Sequence, residues 1–244
     1  MALLELDDVT KTYGGITAVD HASFQVEEGS ITALIGPNGA GKTTAFDTIS
    51  GVVKPDSGRV IFGGREITGA MPHVSARRGL GRTFQITREL GDMTVLENMV
   101  VSTVENSFKS LLGGRLGSAE RTKAMDILTF VGIDHLADQP AKRLSYGQRK
   151  LLELSAVLMT GPSLILLDEP AGGVNPALLE RIMDRIEEIN REGTSFLIVE
   201  HNMDVVMRLS HSVVVMAYGK VILQGTPGEV RHDDRVLEAY LGAV

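Results

Sequence analysis

The residues with the clearest chemical potential are Gly36-Pro37-Asn38-Gly39-Ala40-Gly41-Lys42-Thr43-Thr44. They follow the apolar run Ile31-Thr32-Ala33-Leu34-Ile35 and precede Ala45-Phe46-Asp47-Thr48-Ile49. A short strand, a glycine-rich turn and a helix start form the setting in which G-x-x-x-x-G-K-[ST] builds a phosphate cradle. Glycines let the backbone curl until successive N–H groups point inward, and the helix starting near Gly41 adds its positive end to the same anion. Lys42 is suited to lie along the β- and γ-phosphates, the Thr43 hydroxyl to take one Mg²⁺ position, and Thr44 to reach the α-phosphate side. The pattern predicts a bound nucleoside triphosphate, with hydrolysis as its natural fate.

A second group supplies the rest of that chemistry. Leu164-Ile165-Leu166-Leu167-Asp168-Glu169 is an apolar strand ending in two carboxylates. Such a strand fits a parallel sheet covered on both faces, and ligands bind at its C-terminal end. Asp168 can hold Mg²⁺ through water, and Glu169 can polarise a water for attack on the γ-phosphate. A further apolar strand, Ser195-Phe196-Leu197-Ile198-Val199, delivers Glu200 and His201, and a histidine at that edge can donate to a γ-phosphate. Ser145 can cap the helix bearing Leu151, Leu154 and Leu158, which gives either a plain cap or a second anion-binding terminus. Tyr13, in the turn Lys11-Thr12-Tyr13-Gly14-Gly15, is either an ordinary packed tyrosine or a ring that stacks on a base.

The elements that must carry these residues follow from length and patterning. At 244 residues and 43% hydrophobic content the chain can bury the core of one α/β unit with a subdomain. No apolar stretch approaches the roughly 20 residues of a membrane-spanning helix, and the N-terminus lacks a basic region followed by a long apolar one, so the expectation is a soluble, non-secreted chain. The absence of cysteine excludes disulfides, thiol catalysis and cysteine metal sites. A net charge of −7 without a basic run argues against nucleic acid as the main partner.

Ala2 to Asp8 and Ala22 to Val26 alternate as half-exposed antiparallel strands do, and Arg59 to Phe62 reads as another strand. From about Thr87 to Thr160 helical spacing takes over, with Val95, Met99, Val100, Ala124, Ile127, Leu128 and Val131 recurring at three and four. Within it, Ser107 to Ser118, rich in Gly, Ser and basic residues, reads as a mobile connection. Pro176 to Glu192 reads as a helix with Gly193 past its end. Val213 to Met216 and Val221 to Gln224 read as a hairpin turned at Tyr218-Gly219-Lys220, and Val236 to Leu241 as an amphipathic terminal helix.

With these pieces in this order, the chain resembles the ATP-binding subunit of ABC transporters over essentially its whole length. Gly36 to Thr44 match the Walker A loop, Thr83-Phe84-Gln85 the Q-loop, Leu144 to Gln148 the signature, Leu164 to Glu169 Walker B with its catalytic glutamate, and His201 the switch histidine. The resemblance implies a P-loop NTPase core, a mainly parallel mixed sheet with an antiparallel β subdomain, in residues 1–86 and 161–244. It assigns the helical subdomain to 87–160. It further implies that ATP and Mg²⁺ are the cofactors, that Tyr13 stacks on adenine, and that Gln85 contacts Mg²⁺ and the attacking water. Two copies would sandwich two nucleotides, with Ser145, Gly147 and the rest of the motif through Gln148 meeting the γ-phosphate held by the other subunit. Two positions depart from the family pattern: Tyr146 replaces a glycine in Leu-Ser-Gly-Gly-Gln, and Asn175 replaces an aspartate after Walker B. The backbone N–H survives at Tyr146, and an amide at 175 can still hydrogen-bond across a dimer.

A finer resemblance rests on Tyr146, on Ala171-Gly172-Gly173-Val174-Asn175-Pro176, on Val199 to Met207 and on the ending Val236 to Gly242. These look like the subunits of branched-chain amino acid importers. That family implies an ATPase peripheral to the cytoplasmic face of the inner membrane, two separate permeases, an identical or related second ATPase, and a soluble binding protein indirectly. Closely similar ATPases serve urea and amide uptake, and a more distant relative drives lipopolysaccharide export. The alternative of another class is a soluble ABC ATPase acting on DNA or ribosomes; such proteins carry long coiled-coil insertions or two nucleotide domains, and this sequence has neither.

Overall fold

Strands β3 (Ile31–Ile35), β7 (Leu164–Asp168) and β8 (Ser195–Val199) are buried at every position. Their continuous apolar runs have that consequence because each lies between two neighbouring strands and is covered on both faces. In the computed structural model, which describes residues 1–83, 90–102 and 118–241, they form the middle of a six-stranded sheet. Its other members are β6 (Leu80–Arg82), β9 (Ser212–Ala217) and β10 (Lys220–Gly225), in the order β10-β9-β3-β8-β7-β6. All pairings are parallel except β10 with β9. A four-stranded antiparallel sheet, β2-β1-β4-β5, lies beside it, built from β1 (Ala2–Tyr13), β2 (Ile16–Glu27), β4 (Ser57–Phe62) and β5 (Arg65–Glu66). The expected mixed sheet with an antiparallel companion is therefore the observed architecture.

Successive side chains of a strand point to opposite faces, and here they enter different cores. Leu164 and Leu166 of β7 join a cluster between the two sheets with Leu4, Val26, Leu34 and, from α1 (Lys42–Ser50), Phe46. Ile165 and Leu167 join Phe196 and Ile198 in the cluster covered by helices. Those helices are α3 (Val95–Val101), α4 (Ser118–Val131), α5 (Tyr146–Leu158) and α6 (Pro176–Arg191), entered after α2 (Pro72–Arg77). The segment of the presumed mobile connection at 107–117 lies outside the described residues, while Ser118 opens α4. The chain ends with α7 (Met203–Leu209), α8 (Pro227–Arg231) and α9 (Asp234–Leu241).

The first hairpin differs from expectation. Lys11 to Tyr13 belong to β1, and only Gly14-Gly15 turn the chain. Register shifts between Leu6 and Lys11 accommodate Asp8 (φ 55°) and, on the facing strand, His21 (φ 51°), whose Nδ1 lies 2.7 Å from Asp8 Oδ1, so the alternation that defines a strand breaks locally while pairing continues.

α6 and α7 are joined by Arg208, whose guanidinium donates to Glu187 (3.0 Å), Asp184 (2.6 Å) and Glu180. These three carboxylates line one face of α6 and hold the guanidinium pKa above its ordinary value. Arg208→Met leaves them facing one another. It is expected to lower stability by about 1 kcal/mol, a loss that shrinks at high salt; urea unfolding at two ionic strengths checks this.

Candidate functional site

The phosphate loop leaves β3 at Gly36. A Cβ there would lie 2.1 Å from the Met216 carbonyl oxygen, and one at Gly41 would lie 2.2 Å from that of Ala18. Both residues also have positive φ, 147° and 99°, so steric fit and backbone conformation independently require glycine. Pro37, Asn38 and Gly39 form the tip, and Ala40 is buried behind it, donating to Pro37 O and accepting from Gly219 N. The first helical hydrogen bond of α1 runs from Ala45 N to Gly41 O (2.9 Å). The N–H groups of Lys42, Thr43 and Thr44 therefore precede the intrahelical ladder and face the loop mouth with the positive end of the helix. Lys42 Nζ bends back across the loop to Gly36 O (2.6 Å) and Pro37 O (3.0 Å). Burial lowers its pKa, opposed by the carboxylates of Glu169 and Asp168.

Those carboxylates arrive at the end of β7. Burial raises the Asp168 pKa, partly countered by Arg82, which β6 presents beside it. Arg82 is fixed in turn to Asp47 (2.7 Å) and Ser50 (2.6 Å) of α1. It thus ties the phosphate helix to the carboxylate strand. Glu169 sits at φ 46°, with its N–H bonded to Val199 O (2.9 Å). His201 Nδ1 lies 3.7 Å from Glu169 Oε1, a separation longer than a hydrogen bond. Lys42, Asp168, Glu169 and His201 are accordingly gathered at the C-terminal edge of β3, β7 and β8. Thr83 bridges to the same edge through its hydroxyl, which accepts from Asp168 N (3.4 Å). Phe84 and Gln85 lie outside the described residues.

The remaining expected residues stand at two other places. Tyr13, 46% exposed at the end of β1, has Lys11 Nζ 5.3 Å from its ring centroid. Ser145 caps α5: its hydroxyl accepts from Gln148 N (3.3 Å), and Gln148 Oε1 accepts from Ser145 N (2.8 Å). Gly147 is pressed against α6, where a Cβ would meet Leu178 Cδ2 at 2.0 Å. Among the described residues no hydrogen bond or ion pair joins this helix end to the phosphate loop of its own chain.

The donor set fits a magnesium nucleotide. Backbone N–H groups and Lys42 suit phosphate oxygens, while the Thr43 hydroxyl and the Asp168 carboxyl are hard oxygen ligands of the kind Mg²⁺ takes. Burial makes ionised Asp168 unfavourable on its own, as expected of a carboxyl that a cation would neutralise.

Sequence reasoning passed over Glu200. Its side chain, only 1% exposed, accepts from Ala171 N (2.8 Å), His201 N (2.9 Å) and Asn202 N (3.0 Å). One carboxylate thereby fixes the loop after Glu169 to the loop carrying His201. The available signal was an acidic residue closing an apolar strand at the ligand edge. Glu200→Gln turns an amide N–H₂ toward backbone donors, and is expected to cost about 2 kcal/mol in denaturant unfolding. Asn175 also has a local role: its Oδ1 accepts from Leu178 N (3.0 Å) and caps α6.

Comparison with known proteins agrees with this geometry. Residues 19–172 match the family model described as ABC transporter, and residues 220–244 match one described as branched-chain amino acid ATP-binding cassette transporter. The chain is 42% identical, over 100% of its length and 96% of the relative's, to a probable branched-chain amino acid transport ATP-binding protein LivG of Archaeoglobus fulgidus. It is 36% identical to the high-affinity branched-chain amino acid transport ATP-binding protein BraF of Pseudomonas aeruginosa, over 98% of each chain. A solved ATP-binding cassette of an ABC transporter in its ADP conformation superposes with a TM-score of 0.89 at 37% identity, covering 99% of each chain. With its glycine-rich loop and the carboxylates and histidine gathered beside it on that fold, the chain belongs to the ATP-hydrolysing, ATP-binding cassette subunits of ABC transporters.

Proposed function

We propose that this chain binds and hydrolyses ATP to power uptake of branched-chain amino acids through separate membrane permeases. The observation that carries the reading is the gathering of Lys42, Asp168, Glu169 and His201 at one sheet edge. In it, Gly36 to Thr44 cradle the phosphates and Tyr13 stacks on adenine. Thr43, Gln85 and Asp168 would hold Mg²⁺, which would supply charge neutralisation at the phosphates. Glu169 takes a proton from the attacking water, and His201 donates to the γ-phosphate. Ser145, Gly147 and Gln148 complete the site of a second, identical or related subunit; their separation from their own phosphate loop supports that division of labour. Residues 1–86 and 161–244 act as the nucleotide core and 87–160 as the helical subdomain.

The permease surface is best supported by a groove of about 470 Å³ lined by Leu80, Leu90, Asn98, Val101, Leu152 and Val157. It is mostly apolar and lies between the β6 edge and the helices, the kind of groove into which an amphipathic helix lays its apolar face. No described helix is long and apolar enough to cross a membrane. By likeness to the importer subunits it resembles, the chain is proposed to work as a peripheral subunit at the cytoplasmic face of the inner membrane, with permeases rather than nucleic acid as its partners. A soluble binding protein would deliver the cargo. Cargo identity rests on the relatives named for branched-chain amino acid transport.

Mass spectrometry of what co-purifies from detergent-solubilised membranes of the source tests this. Two hydrophobic permeases, an ATPase partner and a binding protein are the expected set. Ribosomal or DNA-associated proteins without a permease would overturn the reading.

A further inference from the structure

Tyr146 stands where the family motif carries glycine, and its surroundings give it a function. Its ring covers Gly173, where a Cβ would lie 2.9 Å from Cε1. One helical turn on, at the i+4 position that shares its face, Lys150 places Nζ 5.4 Å from the centre of the Tyr146 ring. The same Nζ donates to the carbonyl oxygen of Glu169 at 2.6 Å. That oxygen also accepts from Gly172 N (3.0 Å).

Glu169 is a non-glycine residue in the left-handed region, a conformation that persists only where its surroundings hold it. Its N–H is fixed to Val199 O of the neighbouring strand. Its C=O is held by one neutral N–H and one ammonium, and the charge-assisted bond is the stronger. The direction in which the Glu169 carboxylate leaves the backbone follows from φ, so the Lys150 bond helps to aim it. Lys150 is at the same time within the electrostatic reach of Asp168.

We propose that Lys150, steadied by the Tyr146 ring, is a positioning residue that aims Glu169, linking the signature end of α5 to the catalytic carboxylate of its own chain. This rests on the reading of Glu169 as the base. Ser145 and Gly147 begin the same helix, so a phosphate seated there by the second subunit also loads the helix turn that carries Tyr146 and Lys150. Each site's base is then set in part by the nucleotide of the other site.

The test compares Lys150→Met, Lys150→Arg and Tyr146→Gly with the wild type and with Glu169→Gln, reading steady-state hydrolysis of Mg²⁺-ATP, its Hill coefficient, ATP affinity and thermal melting. Lys150→Met should lower kcat about 10–100-fold, the scale of a misplaced reacting group. The KM for ATP should stay within about threefold, because a group that acts only on the reacting geometry leaves ground-state binding intact. Lys150→Arg should recover most of the loss, and Tyr146→Gly should reduce kcat and the Hill coefficient together. Wild-type kcat in Lys150→Met, or equal losses in the Met and Arg variants, would overturn the link. If Lys150→Met fails to fold, the Arg and Tyr146→Gly variants decide on the same criteria: wild-type kcat and Hill coefficient in Tyr146→Gly would overturn it. Turnover retained by Glu169→Gln would instead remove the base assignment beneath the proposal, a distinct failure.

Discussion

Glu169→Gln should reduce steady-state ATP hydrolysis about 10³-fold while leaving ATP affinity within about threefold of wild type, the range expected when a general base is removed without disturbing binding. The amide keeps the shape of the side chain, and the backbone bonds that fix residue 169, from its N–H to Val199 O and to its carbonyl from Lys150 and Gly172, do not involve the carboxylate. The phosphate loop and Lys42 are untouched. Only proton acceptance is lost. In the proposed arrangement two subunits share two nucleotides and hydrolysis separates them, so the variant should also accumulate as an ATP-bound dimer. Phosphate release and size-exclusion chromatography with Mg²⁺-ATP check both statements; turnover near the wild-type rate would refute the base.

Asp168→Asn should act in opposite directions with and without ligand. Burial raises the pKa of this carboxyl in the folded chain, with Arg82 pulling it back in part. An acid whose folded pKa is raised holds its proton more tightly in the native state. The native state therefore loses stability as pH rises from the ordinary carboxylate range toward the raised value, a cost that is absent in acid and grows toward neutral pH. Asparagine removes that cost but also the attraction to Arg82, so the nucleotide-free variant should melt about 2 °C above wild type at pH 7.5. The gap should close in acid, where both residues are neutral. With Mg²⁺-ATP the order should invert: wild type gains stability through the bound ligand, while the variant gains far less and turns over about 10²-fold more slowly. Scanning calorimetry at two pH values, with and without ligand, reads all of this. A variant that melts below wild type without nucleotide would contradict the electrostatic account.

The parts of the site that were legible in the sequence are those whose chemistry requires a contiguous pattern. A phosphate cradle needs glycines at Gly36 and Gly41, a lysine and a hydroxyl in fixed succession, and a strand buried on both faces needs an unbroken run such as Leu164 to Leu167. Ser145 was legible as a cap because its reciprocal partner Gln148 is three residues away. Asn175 was equally readable as a cap before Pro176, yet comparison with the family's aspartate drew attention to the dimer instead. Lys150, Arg82 and Glu200 were not legible as parts of the site. Arg82 acts on Asp47, Lys150 on a backbone carbonyl and Glu200 in part on Ala171 N, all distant in sequence, and local pattern does not report such contacts. The first hairpin was shortened for a different reason: left-handed residues at Asp8 and His21 interrupt the period of two while the strands remain paired.

The most direct measurement is uptake into proteoliposomes that contain this chain with the permeases recovered beside it, supplied with the recovered binding protein and with Mg²⁺-ATP on the side of the ATPase. Accumulation of leucine, isoleucine or valine that depends on ATP and is lost with Glu169→Gln is the predicted result. ATP turnover without movement of any of the three would contradict the account.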